Sequence, residues 1–256
     1  MARSPLVSEN SSSTIPEGLI GLWRRRLLET EILRDTDSEV WRLQTGQLYA
    51  DLHLSPPGQP SSRRGVAGAL ELQGDVLTWQ SWFDNQSPTD IGDSGRVYFE
   101  GETLIAHGAC SSRREVWERV TPPTDDRMAL ALRDERSAYG GLRTRRGVFM
   151  VLGEHFVLAL DRSLCLAGGG RTTAPRQRTF AAFRLEPEIS FGVRHGSVSW
   201  EIKRSTLPDR EGQSLLAVHG LPEQVSRSEW CQSSQIPAAY RRWQVVEIGS
   251  GFTGLF

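Results

Sequence analysis

One pattern of short, alternating apolar segments occurs twice in this chain, and that repetition limits the fold to two similar all-β units. The first copy runs Gly46-Gln47-Leu48-Tyr49, Val66-Ala67-Gly68, Gly74-Asp75-Val76-Leu77-Thr78-Trp79 and Val116-Trp117-Glu118-Arg119-Val120. The second runs Gly153-Glu154-His155-Phe156, Phe180-Ala181-Ala182, Gly196-Ser197-Val198-Ser199-Trp200 and Arg242-Trp243-Gln244-Val245-Val246. Order and aromatic positions agree while the spacing drifts. Short strands separated by turn signals every 8–12 residues or so mark sandwiches and barrels. A closed antiparallel barrel removes its own edges and encloses room for a small ligand.

A length of 256 residues suits two small domains or one large one. Residues 1–16 read as a disordered Ser-rich tail and 17–121 as the first barrel. Residues 122–138 read as a linker opened by Pro122-Pro123, in which Met128-Ala129-Leu130-Ala131-Leu132-Arg133 is expected as a short helix. Residues 139–256 read as the second barrel, beginning with a hairpin around Gly153-Glu154. Gly168-Gly169-Gly170 reads as a loop, since no phosphate-binding glycine motif opens a helix anywhere.

Lys plus Arg total 30 against 31 for Asp plus Glu. That near-zero balance argues against nucleic acid as a partner. Arg24-Arg25-Arg26 and Arg143-Thr144-Arg145-Arg146 read as solvated strand edges. Three separated Cys and five scattered His give no metal-ligand spacing, and no cofactor motif appears. No Gly-x-Ser-x-Gly elbow is present. No apolar run reaches the ~18 residues of a membrane span. The first residues lack an apolar leader core, so a cytoplasmic location is expected.

Gly21-Leu22-Trp23 near the start and Arg119 near the end of the first unit resemble the barrel-closing pair of the lipocalin-like (calycin) superfamily. In that superfamily an Arg from the last strand covers a Trp of the first. The stretches Gly21-Leu22-Trp23-Arg24-Arg25, Trp41-Arg42-Leu43-Gln44, Asp51-Leu52-His53, Val66-Ala67-Gly68 and Val116-Trp117-Glu118-Arg119 are similar to a fungal family that binds a casein kinase 1 and to bacterial relatives of unknown role. The resemblance implies two tandem calycin antiparallel β-barrels with few short helices, Trp23 and Arg119 closing the first. Gly141-Leu142-Arg143 stands where the second unit's Gly-x-Trp is expected.

Leu48, Ala50, Leu52 and Leu54 alternate with Tyr49, Asp51 and His53. The polar face has two readings: an outward, solvated one, which is favoured, or a pocket wall. On the second reading Asp51 orients His53 for general acid–base work beside Tyr49. Trp23, Trp41, Trp79, Trp82 and Trp117 read as core and barrel-end plugs or as an aromatic pocket lining. The expected ligand-binding set is Trp41, Gln44, Trp82, Tyr98, His107 and Trp117. The leading expectation is binding of a small hydrophobic or aromatic molecule, mainly in the N-terminal barrel. The alternatives are a cofactor-independent cyclase, isomerase or dehydratase using His53, Asp51 and Tyr49, as some calycin-like barrels of natural-product pathways do, and a protein-interaction module with a protein partner.

Overall fold

Alternation buries both faces of the central strands of this protein, one face inside a barrel and the other against a neighbouring barrel. The computed structural model describes residues 15–56, 62–85, 93–137, 142–143, 145–164, 184–185, 187–196, 198–235, 238–252 and 254–255. The first unit contains β1 (Gly21–Glu29), β2 (Arg34–Asp35), β3 (Glu39–Gln44), β4 (Leu48–Leu54), β5 (Arg63–Gln73), β6 (Val76–Asp84), β7 (Asp93–Glu100), β8 (Thr103–Gly108) and β9 (Arg114–Thr121). Antiparallel pairing runs through β1-β3-β4-β5-β6-β7-β8-β9 and returns from β9 to β1, so eight strands close a barrel. The short β2 extends only the end of β1.

The second unit contains β10 (Arg127–Ser137), β11 (Leu142–Arg143), β12 (Gly147–Leu152), β13 (His155–Leu160), β14 (Ser163–Leu164), β15 (Arg184–Leu185), β16 (Glu188–His195), β17 (Ser199–Ser205), α1 (Leu215–Val218), β18 (Glu223–Gln224), β19 (Glu229–Gln235) and β20 (Ala238–Ile248). Its main sheet runs β17-β16-β13-β12-β10-β20-β19-β18 and stays open between β17 and β18. In the first barrel β7 spans the corresponding gap. In the second, the chain crosses it with a 3-10 turn at Pro208–Arg210 and with α1, whose Leu215 joins the interior core. The chain is therefore all-β, a closed barrel followed by a half-barrel.

The stretch expected as a linker helix is instead the first half of β10. Its Ala and Leu residues are good helix formers, but pairing with β12 on one edge and β20 on the other overrides that preference. Met128 and Leu130 enter the second barrel's core while Ala129 faces the first barrel. The second unit thus starts before the expected position 139. Residues 1–14 of the expected tail and Phe180-Ala181-Ala182 lie outside the described residues. Ile15, assigned to that tail, is buried against Leu19 and Trp23.

Pairing registers align the two units strand by strand. Trp23 pairs with Arg119 and Arg42 as Leu130 pairs with Val245 and Phe149. Met128-Ala129-Leu130, not Gly141-Leu142-Arg143, therefore occupies the place of Gly21-Leu22-Trp23. Tyr49 and Asp51 pair with Gly68 and Val66 as Phe156 and Leu158 pair with Gly192 and Ser190. The counterpart of Val66-Ala67-Gly68 is thus Ser190-Phe191-Gly192. Both strands bulge at that glycine, and the bulge leaves no room for a side chain: a Cβ on Gly68 would lie 1.9 Å from the Gln80 carbonyl oxygen and one on Gly192 2.3 Å from that of Glu201.

The outer faces of the two units share one core. Leu48, Ala50 and Leu52 of β4 pack with Ala67 and Phe83 against Val148, Met150, Val157 and Ala159. A polar tie at the rim runs from the Gly46 N–H to Glu247 Oε2, 2.8 Å. Among the described residues, no helix is long and apolar enough to cross a membrane.

Candidate functional site

The first barrel is closed at one end by the residues that carry the calycin resemblance. Trp23 is fully buried and donates its indole N–H to the Leu19 carbonyl at 3.1 Å. The Arg119 guanidinium carbon lies 4.2 Å from the Trp23 ring, and its nitrogens donate to the carbonyls of Ile20 (3.0 Å) and Gly18 (2.6 Å). Gly21 lacks a side chain because a Cβ there would stand 3.0 Å from the Thr121 oxygen and 3.1 Å from the Trp23 indole nitrogen. Above this floor lies an apolar layer holding Leu77, Leu104, Trp79 and Trp117.

The other end opens into a cavity of about 450 Å³, within the range of small-molecule sites. Tyr49, Asp51 and His53 all line it, so the face of β4 for which an outward, solvated position was favoured points inward. The apolar Leu48/Ala50/Leu52 face is the outer one, and it is dry because the second barrel covers it. Asp51 accepts two hydrogen bonds from Arg42, Nε at 2.7 Å and Nη2 at 2.6 Å. Burial alone would raise the Asp51 carboxyl, but Arg42, helped by His53, holds it well below the usual carboxylate range. Arg42 is itself sandwiched, its guanidinium carbon 4.5 Å from the Trp79 ring and 4.4 Å from the Trp117 ring. Burial, with Asp51 adding to it, pushes the Tyr49 phenol up, so it stays a neutral donor. His53 Nε2 lies 3.9 Å from Asp51 Oδ2, and its side chain is 29% exposed at the mouth.

The other charged groups of the wall form ion pairs. Arg64 meets Asp84 at 2.6 Å; Arg113 meets Asp93 at 2.7 Å and Glu115 at 2.9 Å. Arg25 bridges Asp35 at 2.9 Å and Glu115 at 3.4 Å. Arg25, expected on a solvated strand edge, is instead buried and faces the cavity, while Arg64, Arg113 and the carboxylates Asp84, Asp93 and Glu115 are not among the expected site residues. The available signal was period two from Trp23 to Arg25 and from Trp117 to Glu115, which places both charges on the inner face. Of the residues expected to bind ligand, Gln44 belongs to the floor, donating to the Leu19 carbonyl, and Trp117 to the apolar layer above it, beneath Arg42. Trp41 and Trp82 pack at the edge of the inter-barrel core. Tyr98 and His107 stack on each other at 5.8 Å, with a 3.2 Å Tyr98 Oη to His107 Nε2 contact. None of the six lines the cavity.

The second barrel fills the equivalent space with its own side chains. Phe149, in the place of Arg42, lies 6.2 Å from Trp200 and 6.3 Å from Trp243. Phe156, Leu158 and Leu160 stand where Tyr49, Asp51 and His53 stand, and all three are buried. At the open end, His219 follows α1 inward. Its Nε2 lies 3.0 Å from both Glu188 oxygens, and its Nδ1 is 3.3 Å from Arg241 Nη1. By register Glu188 corresponds to Arg64 and Arg241 to Glu115. The imidazole therefore occupies, in the second barrel, the position that the cavity occupies in the first.

No protein-family model, curated protein or solved structure matches the chain. Among the described residues, no group of three or more His, Cys, Asp or Glu is placed to hold a metal ion.

Proposed function

We propose that the first barrel binds a small polar molecule in the cavity faced by Tyr49, Asp51 and His53. A barrel of this kind is compatible with ligand binding in general, and one observation supports a specific site here. The same fold, in the second unit, keeps its registers with Phe149, Phe156, Leu158 and Leu160 at the positions of Arg42, Tyr49, Asp51 and His53. The fold does not require the polar set; a ligand does. The lining also changes the expected class of ligand. A hydrophobic or aromatic molecule would strip water from four Arg-centred ion pairs without replacing their hydrogen bonds, which is unfavourable.

The test is a Trp-fluorescence screen of small polar compounds against the wild type and the Arg42→Phe/Tyr49→Phe/Asp51→Leu/His53→Leu variant, which copies the second barrel's interior. A compound that changes the emission of the wild type alone supports the site. Identical responses from both proteins across the screen count against it.

A second reading, catalysis by proton transfer, is favoured by the placement of His53 beside Asp51 at the cavity mouth. It predicts that His53→Ala retains affinity for a bound compound and loses its turnover. The interaction-module reading rests on the Ser-rich segment, which lies outside the described residues.

A further inference from the structure

The charge pattern of the cavity narrows the ligand class. We infer that the molecule bound there is neutral and polyhydroxylated, a polyol or sugar; this rests on the binding reading above. Four guanidinium groups line the cavity, from Arg25, Arg42, Arg64 and Arg113, and four carboxylates, from Asp51, Asp84, Asp93 and Glu115. Each cation touches a carboxylate within the wall itself. No net field is left to hold an anion or a cation, and a zwitterion finds each charge it needs already matched.

Hydrogen-bonding capacity is left. The Nη1 amino group of Arg42 and the indole N–H of Trp79 are buried and make no hydrogen bond within the protein. The indole of Trp200, the counterpart of Trp79 in the filled second barrel, is unpaired as well, so Arg42 Nη1 is the donor particular to this cavity. Arg42 as a residue is 3% exposed and Trp79 likewise 3%, so both donors sit where only a group deep in the barrel can reach them. They call for an oxygen acceptor. The ion-paired carboxylates, with two oxygens and about four lone-pair directions each, retain acceptor capacity toward the cavity. A hydroxyl serves both roles, accepting from Arg42 or Trp79 while donating to Asp51 or Glu115. A ketone or ether satisfies only the first. Leu28 and Val66 add apolar surface suited to the C–H faces of a ring.

The second barrel shows the same wall positions converging on one ring. Glu188 and Arg241, one anion and one cation, hold the imidazole of His219 from two strands. Arg64 and Glu115 present the same pair of opposite charges to the first cavity.

The experiment is protein-observed NMR of the full chain, following the Trp79 indole N–H, assigned by its loss in Trp79→Phe. The probes are myo-inositol, D-glucose and D-galactose as neutral polyols, citrate and benzoate as anions, L-serine as a zwitterion, and the apolar dye ANS. A saturable shift with at least one polyol is expected, weakened at least about tenfold in Arg42→Phe/Asp51→Leu, the equivalent of losing one charge-assisted hydrogen bond. Saturable shifts with citrate, benzoate, L-serine or ANS but with no polyol overturn the inference and leave the binding site standing. No shift with any probe overturns both.

Discussion

Arg42 and Asp51 form the most consequential pair in the first barrel. Each is almost wholly buried, and each is held by the other. Removing one partner leaves an unmatched charge in a closed interior, whereas replacing both with apolar groups of similar size does not. Asp51→Leu is therefore expected to lose about 3–5 kcal/mol of stability, and Arg42→Phe/Asp51→Leu to stay within about 1–2 kcal/mol of the wild type. Guanidinium chloride unfolding followed by Trp fluorescence measures both. A double variant as unstable as the single one would mean that the pair is indispensable to the barrel itself. The folded Asp51 carboxyl sits below its unfolded value of 3.8, so its contribution is present above that pH and is lost as pH falls below it. At the floor, Arg119→Met removes two hydrogen bonds to carbonyls and a face-on contact with Trp23. A loss of about 1–3 kcal/mol is expected in the same assay.

At the scale of strands, the bulged glycines are the least tolerant positions. A methyl on Gly68 meets backbone rather than a movable side chain. Gly68→Ala should thus cost more than about 3 kcal/mol, while most surface substitutions stay within about 0.5. Circular dichroism melting against a control such as Arg34→Ala, at an exposed strand end, tests this. Much of the strand pattern was legible in the sequence, because Gly74-Asp75, Gly101 and Gly153-Glu154 mark turns and period two marks the segments between them. The faces were not legible. Tyr49, Asp51 and His53 alternate with Leu48, Ala50 and Leu52, and a single barrel would put the apolar set inside. A second barrel covering the outside reverses that assignment, and nothing local to β4 reports the neighbour. Met128–Arg133 misleads for the same reason, since a strand apolar on both faces has no period to distinguish it from a buried helix. The site's arginines stayed hidden because their partners sit across adjacent strands, as Asp51 sits opposite Arg42, and strand pairing and register cannot be read from one strand's own pattern.

For the molecule as a whole, acid should loosen the second unit before the first. Burial lowers the folded pKa of His219, opposed by Glu188, so its neutral form is the stabilised one. Its contribution is complete above 6.5 and declines as pH falls from there toward the folded value. Glu188 is held down to about 2 by His219 and Ser190 against the effect of burial, and its contribution fades between 4.5 and about 2. Hydrogen-exchange protection, corrected for the slower intrinsic exchange at acid pH, should fall between pH 7.5 and pH 5.5 more in β16 and β19 than in β4 and β9, and His219→Gln should remove the difference. An equal loss of protection in both units would contradict this order. The shared core has its own consequence: residues 1–126 alone would expose Leu48, Ala50 and Leu52 together with Ala67 and Phe83. Such a fragment is expected to self-associate in light scattering, and a monodisperse fragment would show that the closed barrel needs no cover.

The two faces of β4 also separate two kinds of selection. Substitutions at 49, 51 and 53 alter the cavity lining and leave the docking surface untouched; those at 48, 50 and 52 do the reverse. The second unit shows that separation: Phe156, Leu158 and Leu160 make an apolar interior while Val157 and Ala159 make the inter-barrel contact. The lining of such a cavity can therefore change along every second residue of a single strand, with the tandem form preserved throughout.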